Sequence, residues 1–320
     1  MKKLHIFLIM IGLSVSLGAF NLEKYGEFKF EKTHQNIFIM HGPIVEPNIA
    51  NEGFMNNPTI IEGKTGLIIV DPGGNYNVGK KILAEIEKVS DKPILATINT
   101  HKHGDHWFAN KAILEKYPNI KIYAHPQMIK EVKAGAAEEW YDILERLTKN
   151  LKGTNDEFAY PNHSVKDGQE IVIDGEKFII RHPDQTHTNT DILITHVNSN
   201  TLFLGDNVMK GRLGAFDDSS SLLGNISLLK ALMQEKEFDF YIPGHGISGK
   251  REATISPYLA YLTSVAKWAQ KAYDDDLEAF EVKKDALKEL EEFKKWDGFE
   301  YAFGKHLMKA YVEISMSDDE

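Results

Sequence analysis

Two blocks of short β-rich runs, each followed by helical spacing, constrain this chain more than any other feature. The first block holds residues 36–41, 59–62 and 67–71, with Gly63-Lys64-Thr65-Gly66 reading as a hairpin turn between the last two runs. Helical spacing follows over 78–89, then a buried strand over 94–99, a helix over 106–117, a short strand over 121–124 and a long amphipathic helix over 127–150. The second block comprises 170–173, 177–182, 191–196 and 201–204, before a helix over 222–236 and a strand over 238–242. This alternation predicts an α/β chain of two similar halves stacked sheet to sheet with helices outside. From Glu252 onward the pattern is helical almost to the end, and the charge-rich stretch 274–292 reads as a solvated helix face. Residues 42–58, rich in Pro, Asn and Gly with Phe54 and Met55 inside, read either as a surface loop or as a mobile flap over a substrate.

The N-terminus adds a second constraint. Lys2 and Lys3 precede an uncharged, mostly apolar run over 4–20 that ends near the small residues Gly18 and Ala19, the pattern of a signal peptide over 1–19. That run is shorter than the roughly 20 apolar residues of a spanning helix. The expectation is a periplasmic or secreted protein with no stable membrane insertion once the signal is removed. Lys and Arg number 37 against 47 Asp and Glu, a formal net charge of −10, which repels phosphate backbones and argues for a small-molecule substrate over nucleic acid. Cysteine is absent, which excludes disulfides, thiolate metal sites and Cys nucleophiles together.

Chemistry concentrates in Thr100-His101-Lys102-His103-Gly104-Asp105-His106-Trp107, where a predicted strand hands over to a predicted helix. In an extended loop the side chains at i and i+2 share a side, so His101 and His103 can grip one metal. Asp105 and His106 sit on the turn into the helix and can face a second metal. Imidazole and carboxylate without thiolate suit zinc, iron or manganese. Four residues do not fill two coordination spheres, so further ligands are required at strand ends. His187, Asp206 in Leu-Gly-Asp and His245 in Gly-His-Gly are the candidates.

With these motifs the sequence resembles a metallo-β-lactamase-fold hydrolase, and Val70-Asp71-Pro72-Gly73-Gly74 matches the family's strand-end Asp–Gly turn. The resemblance covers about residues 28–250. It implies a four-layer αββα sandwich over 20–250, with 251–320 as a C-terminal helical extension packed on it. It further implies that His101, His103 and His187 hold a first metal, that Asp105, His106 and His245 hold a second, and that Asp206 bridges them. Asp71 would support the ligand loop by hydrogen bonds. Thr190 stands where the family often has Gly, and Asp184 where it often has a small residue. His306, with Trp296 and Tyr301, is similar to the C-terminal helix of exported members grouped with quinoprotein relay and sulfur-oxidation systems.

The activity implied is that of an exported hydrolase with two Zn²⁺ ions, iron or manganese being the other candidates, and a bridging hydroxide that attacks an ester, thioester or amide. Asp105 is expected to relay a proton while remaining a ligand, and Lys210 or Arg212, behind the bridging Asp, or Lys250 or Arg251, behind the Gly-His-Gly turn, to anchor an anionic substrate group. Asp206 as a bridging carboxylate is typical of thioester hydrolases resembling glyoxalase II, whereas export suits β-lactam hydrolysis. The alternative from another class is a mononuclear-iron enzyme resembling persulfide dioxygenases.

Overall fold

The computed structural model describes residues 20–317; the expected signal segment 1–19 and the last three residues lie outside the described residues. Alternation within single strands explains the layering. Leu67 and Ile69 face helices, whereas Ile68 and Val70 face the space between two sheets. Phe203 enters that space from the second sheet, while Leu202 and Leu204 face helices on its far side. Strands apolar on both faces must be covered on both, and here each sheet has helices on one face and the other sheet on its second, a helix–sheet–sheet–helix stack.

The first sheet orders seven strands as Glu31–His34, Ile37–Ile39, Thr59–Glu62, Leu67–Val70, Ile94–Ile98, Lys121–Ala124 and His163–Ser164. The second orders five: Glu170–Ile173, Glu176–Arg181, Leu193–His196, Thr201–Met209 and Phe240–His245. Helical crossovers accompany the parallel pairings. Val78 and Ile82 of the helix Tyr76–Val89, with Ile113 of Asn110–Lys116, cover the first sheet. The second is covered by Leu222–Gln234 and by a C-terminal helical region made of Arg251–Asp274, Ala279–Glu289 and Phe299–Ser317. The architecture is the α/β sandwich with a helical C-terminal region that the sequence implied. Among the described residues no helix is long and apolar enough to cross a membrane.

Three local expectations change. The single helix over 127–150 is two, Pro126–Glu131 and Ala137–Thr148, broken at Gly135 with φ 126°. An added Cβ would meet nothing within 4 Å there, so backbone conformation alone requires the glycine. The stretch 274–292 is likewise divided, and Glu278 caps the helix Ala279–Glu289 through a capping box. Within residues 42–58, Ile44 and Ile49 are exposed, whereas Phe54 and Met55 are buried rather than carried on an exposed tip. Their backbone neighbourhood is satisfied by asparagines: Asn57 Nδ2 donates to the carbonyls of Pro243 (2.9 Å) and Gly246 (2.7 Å), and Asn56 Nδ2 to that of Asp71 (2.8 Å).

Candidate metal centre

Asp71, just past the strand Leu67–Val70, takes a left-handed backbone (φ 50°) and aims its carboxylate across the sheet edge. Oδ1 accepts from the Thr100 backbone N–H (2.8 Å), while Oδ2 accepts from Thr100 Oγ1 (2.6 Å) and His106 Nδ1 (2.8 Å). Thr100 Oγ1 in turn accepts from His101 Nδ1 at 3.0 Å. One carboxylate thus assigns tautomers to two imidazoles, leaving the Nε2 lone pair of each aimed inward. His245 Nδ1 donates to the Met55 carbonyl at 2.7 Å, which frees its Nε2 in the same way.

The inward atoms form two buried sets: His101, His103, His187 and Asp206 in one, and Asp105, His106 and His245 in the other. Within each set the ligand atoms lie inside 4.8 Å of one another. Asp206 lies where the strand Thr201–Met209 loses register with its neighbour, and its carboxylate reaches both sets. Oδ2 is 3.6 Å from His187 Nε2 and 3.2 Å from His245 Nε2, and Oδ1 is 3.2 Å from His106 Nε2. Asp105 Oδ2 is 3.4 Å from Nε2 of both His106 and His245.

Burial and the neighbouring His106 and His103 drive His101 well below the usual imidazole range, and burial with His103 takes His187 to about 3. Burial disfavours a charge on His106 too, but Asp206, Asp105 and Asp71 outweigh it and raise that imidazole. Burial pushes Asp105 up, yet His106 and His245 overcome it and hold the carboxyl near 2. The pocket therefore sets ionised carboxylates beside two imidazoles kept neutral, His101 and His187, and two, His106 and His245, that the carboxylates draw toward the positive charge a divalent cation would supply. His101 Nε2 and Asp206 Oδ1 are buried without a hydrogen-bond partner, an arrangement that bound cations relieve. The residues present fit divalent metal ions.

A cavity of about 640 Å³ opens over the centre. His103, Asp105, His187, Asp206 and His245 reach its floor, and Met55, Trp140, Ile143, Leu147 and Leu213 supply apolar wall. Arg212 lines this cavity, whereas Lys210 lines a neighbouring one beside Ile44 and Trp296. The Arg212 guanidinium is buried and no carboxylate lies within ion-pair distance of it among the described residues; its Nε has no partner. Nη1 stands 3.3 Å from His245 Nδ1, but that nitrogen already donates to Met55 and cannot accept. Arg251 instead donates to the Glu235 carbonyl (2.8 Å), next to Lys250 at its helix start.

Several participants carry no spacing signal in the sequence. Asp191 accepts from Thr186 Oγ1 and from both the N–H and the hydroxyl of Thr188, each at 2.7 Å, and so folds the loop around His187. Thr190 accepts the Lys102 N–H at 3.1 Å, a bond that glycine could not supply and that ties this loop to the His101–His103 segment. Asp184 sits in the left-handed region (φ 61°), which Asp tolerates better than most residues. The Trp140 ring lies 4.5 Å from that of His103, and Asp217 Oδ2 approaches His103 Nε2 at 3.7 Å.

Layered sheets with a buried His–Asp donor set at one edge define an αββα protein with a candidate metal centre. The chain belongs to the metallo-beta-lactamase superfamily, whose sequence profile matches residues 51–245. A probable metallo-hydrolase of Methanocaldococcus jannaschii is 29% identical over 63% of this chain and 92% of its own length. A linear primary-alkylsulfatase of Pseudomonas sp. is 42% identical over 77 residues, which span 23% of this chain and only 15% of that enzyme. Hydroxyacylglutathione hydrolase of Francisella tularensis subsp. novicida is 24% identical over 61% of this chain and 64% of its own length. Among solved structures, a sec-alkylsulfatase of Pseudomonas sp. superposes with TM-score 0.67 at 15% identity, covering 90% of this chain and 50% of the other. A metallo-beta-lactamase from Pontibacter korlensis gives 0.57 at 16% identity, covering 74% and 99%. These likenesses show the shared fold.

Proposed function

We propose that this chain is an exported dinuclear zinc hydrolase acting on the ester or thioester bond of a small anionic molecule. The observation that carries the reading is Asp206, whose two carboxylate oxygens reach His187 on one side and His106 and His245 on the other. His101, His103 and His187 would hold the first cation, Asp105, His106 and His245 the second, with Asp206 shared. Two such cations would supply Lewis acidity and water ionisable near neutral pH. The protein's own part is orientation and proton handling. Asp71 and Met55 keep the imidazoles in the liganding tautomer, and Asp105, on the cavity floor, can take a proton on a carboxylate oxygen and return it to a leaving group. Arg212 supports an anionic substrate, since a desolvated guanidinium without a counter-charge favours one. The names of two relatives, acting on alkyl sulfates and hydroxyacylglutathione, agree with an anionic ester or thioester. The Lys2-Lys3 start and the apolar run behind it support export.

Metal analysis of the purified chain tests the centre: about two zinc ions per chain are expected, falling to about one in Asp206→Asn. A single iron with oxygen uptake, or an unchanged zinc count in the variant, overturns the dinuclear assignment. A panel of alkyl sulfates, thioesters, lactones and β-lactams then identifies the bond. Arg212→Leu should raise KM for anionic substrates by about tenfold or more, the worth of one charge-assisted hydrogen bond, and spare uncharged esters. Equal losses on both substrate types would remove Arg212 from that role.

A further inference from the structure

The last helix ends three polar side chains on a single segment of the metal site. His306 Nε2 donates to the Gly214 carbonyl at 2.8 Å, its ring fixed by the Tyr261 hydroxyl at Nδ1 (2.9 Å). Lys309 Nζ donates to the Asp217 carbonyl at 3.1 Å. The Glu313 carboxylate accepts from the N–H groups of Leu222 and Leu223, both at 2.9 Å, and from Ser221 Oγ at 3.0 Å, capping the helix Leu222–Gln234 from outside. Positions 306, 309 and 313 fall on one helix face, so a single rigid element holds 214–223 from end to end.

That segment in turn touches two of the proposed ligands of the first cation. Ser220 Oγ donates to the His187 carbonyl at 2.6 Å, and the Ser221 N–H to the Thr186 carbonyl at 2.8 Å. His103 faces His187 Nε2 through Nδ1 (3.0 Å), which puts its Nε2–H toward Asp217 Oδ2 at 3.7 Å. The other carboxylate oxygen of Asp217 is fixed by Ser219 N–H (2.7 Å) and Ser219 Oγ (2.6 Å), and Lys102 Nζ stands 3.6 Å from Oδ2. The carboxylate is therefore anchored on one oxygen and aimed at His103 with the other.

We propose that Asp217 is a positioning residue for His103, holding its Nε2–H so that Nδ1 faces the first cation, and that the C-terminal helix sets Asp217 through Lys309 and Glu313. The inference rests on the metal centre assigned above. Asp217→Asn keeps an oxygen for the Ser219 turn and removes the charge, so it separates positioning from loop architecture. Chelator competition with zinc, together with the visible spectrum of the cobalt-substituted full chain, reads the first site directly. Asp217→Asn should weaken one zinc equivalent by about tenfold and alter the cobalt bands, the size seen for partners behind metal ligands. Glu313→Gln should move both readouts the same way and less far. Wild-type affinity and bands in Asp217→Asn, with its melting temperature unchanged, overturn the inference while leaving the centre standing. A wild-type chain that binds no zinc overturns the centre itself and the inference with it.

Discussion

Asp71→Asn is expected to weaken zinc binding at both sites by about 10- to 100-fold, although residue 71 would touch neither ion. Its carboxylate receives Thr100 N–H on one oxygen, and Thr100 Oγ1 and His106 Nδ1 on the other. An amide matches the carboxylate in size, and Asn accepts the left-handed backbone as readily as Asp, so the substitution changes hydrogen bonding and charge alone. It offers one acceptor where two are in use. With its NH₂ toward Thr100 N–H, a buried donor is left opposed by a donor, at about 1–3 kcal/mol. With its NH₂ toward His106, that imidazole loses the bond fixing its tautomer, and His101 loses its orientation through Thr100. One ligand from each set is disturbed in the second case. Chelator competition reads the result, and excess zinc should restore part of the turnover; wild-type affinity at both sites would show that these bonds do not organise the centre.

The contrast between Asp71 and Asp217 shows which parts of the site were legible beforehand. Asp71 lies at a predictable place, after a β-branched apolar run and before a Gly-Gly turn, where a strand end must meet the ligand loop. Most of the seven metal-ligand candidates share that property: His245 ends its strand, His101, His103 and His187 lie in loops that follow strands, and Asp105 and His106 open the short helix behind one, whereas Asp206 lies inside its strand, where the register breaks. Asp217 reaches His103 from a loop whose course is set by the helix Phe299–Ser317, some ninety residues later. No periodicity encodes such a contact. The layering was readable because alternation in Leu67–Val70 is local, whereas the break at Gly135 depends on a single backbone angle that amphipathic spacing does not register. The burial of Phe54 and Met55 was hidden for another reason: Asn51, Asn56 and Asn57 look like loop residues, yet their amides satisfy backbone carbonyls that a Pro- and Gly-rich stretch would otherwise strand. Lys210 and Arg212 are two residues apart and indistinguishable by charge, but the bend at Gly211 (φ 87°) sends them to different cavities.

Gly244→Ala should cost the chain one metal equivalent and at least about 100-fold in rate, through a single methyl group. A Cβ at residue 244 would stand 1.9 Å from Asp206 Oδ1 and 2.9 Å from the Gly205 carbonyl carbon. Carbon contacts settle near 3.5–4.0 Å, so something must move by more than an ångström. The Gly205 backbone is held in register against Pro243 by the parallel pairing of the two strands, which leaves the Asp206 carboxylate as the part that swings away. That motion removes the one group reaching both ligand sets. The strands themselves need shift little, so the stability loss should stay within the roughly 1–3 kcal/mol of an overpacked core. Gly249→Ala is the matched control, because a methyl there meets only Thr254 Oγ1 at 3.8 Å, and it should keep the wild-type zinc count and rate. Full zinc and full turnover in Gly244→Ala would mean that the centre works without Asp206 in its present place, and the shared-carboxylate geometry would have to be abandoned.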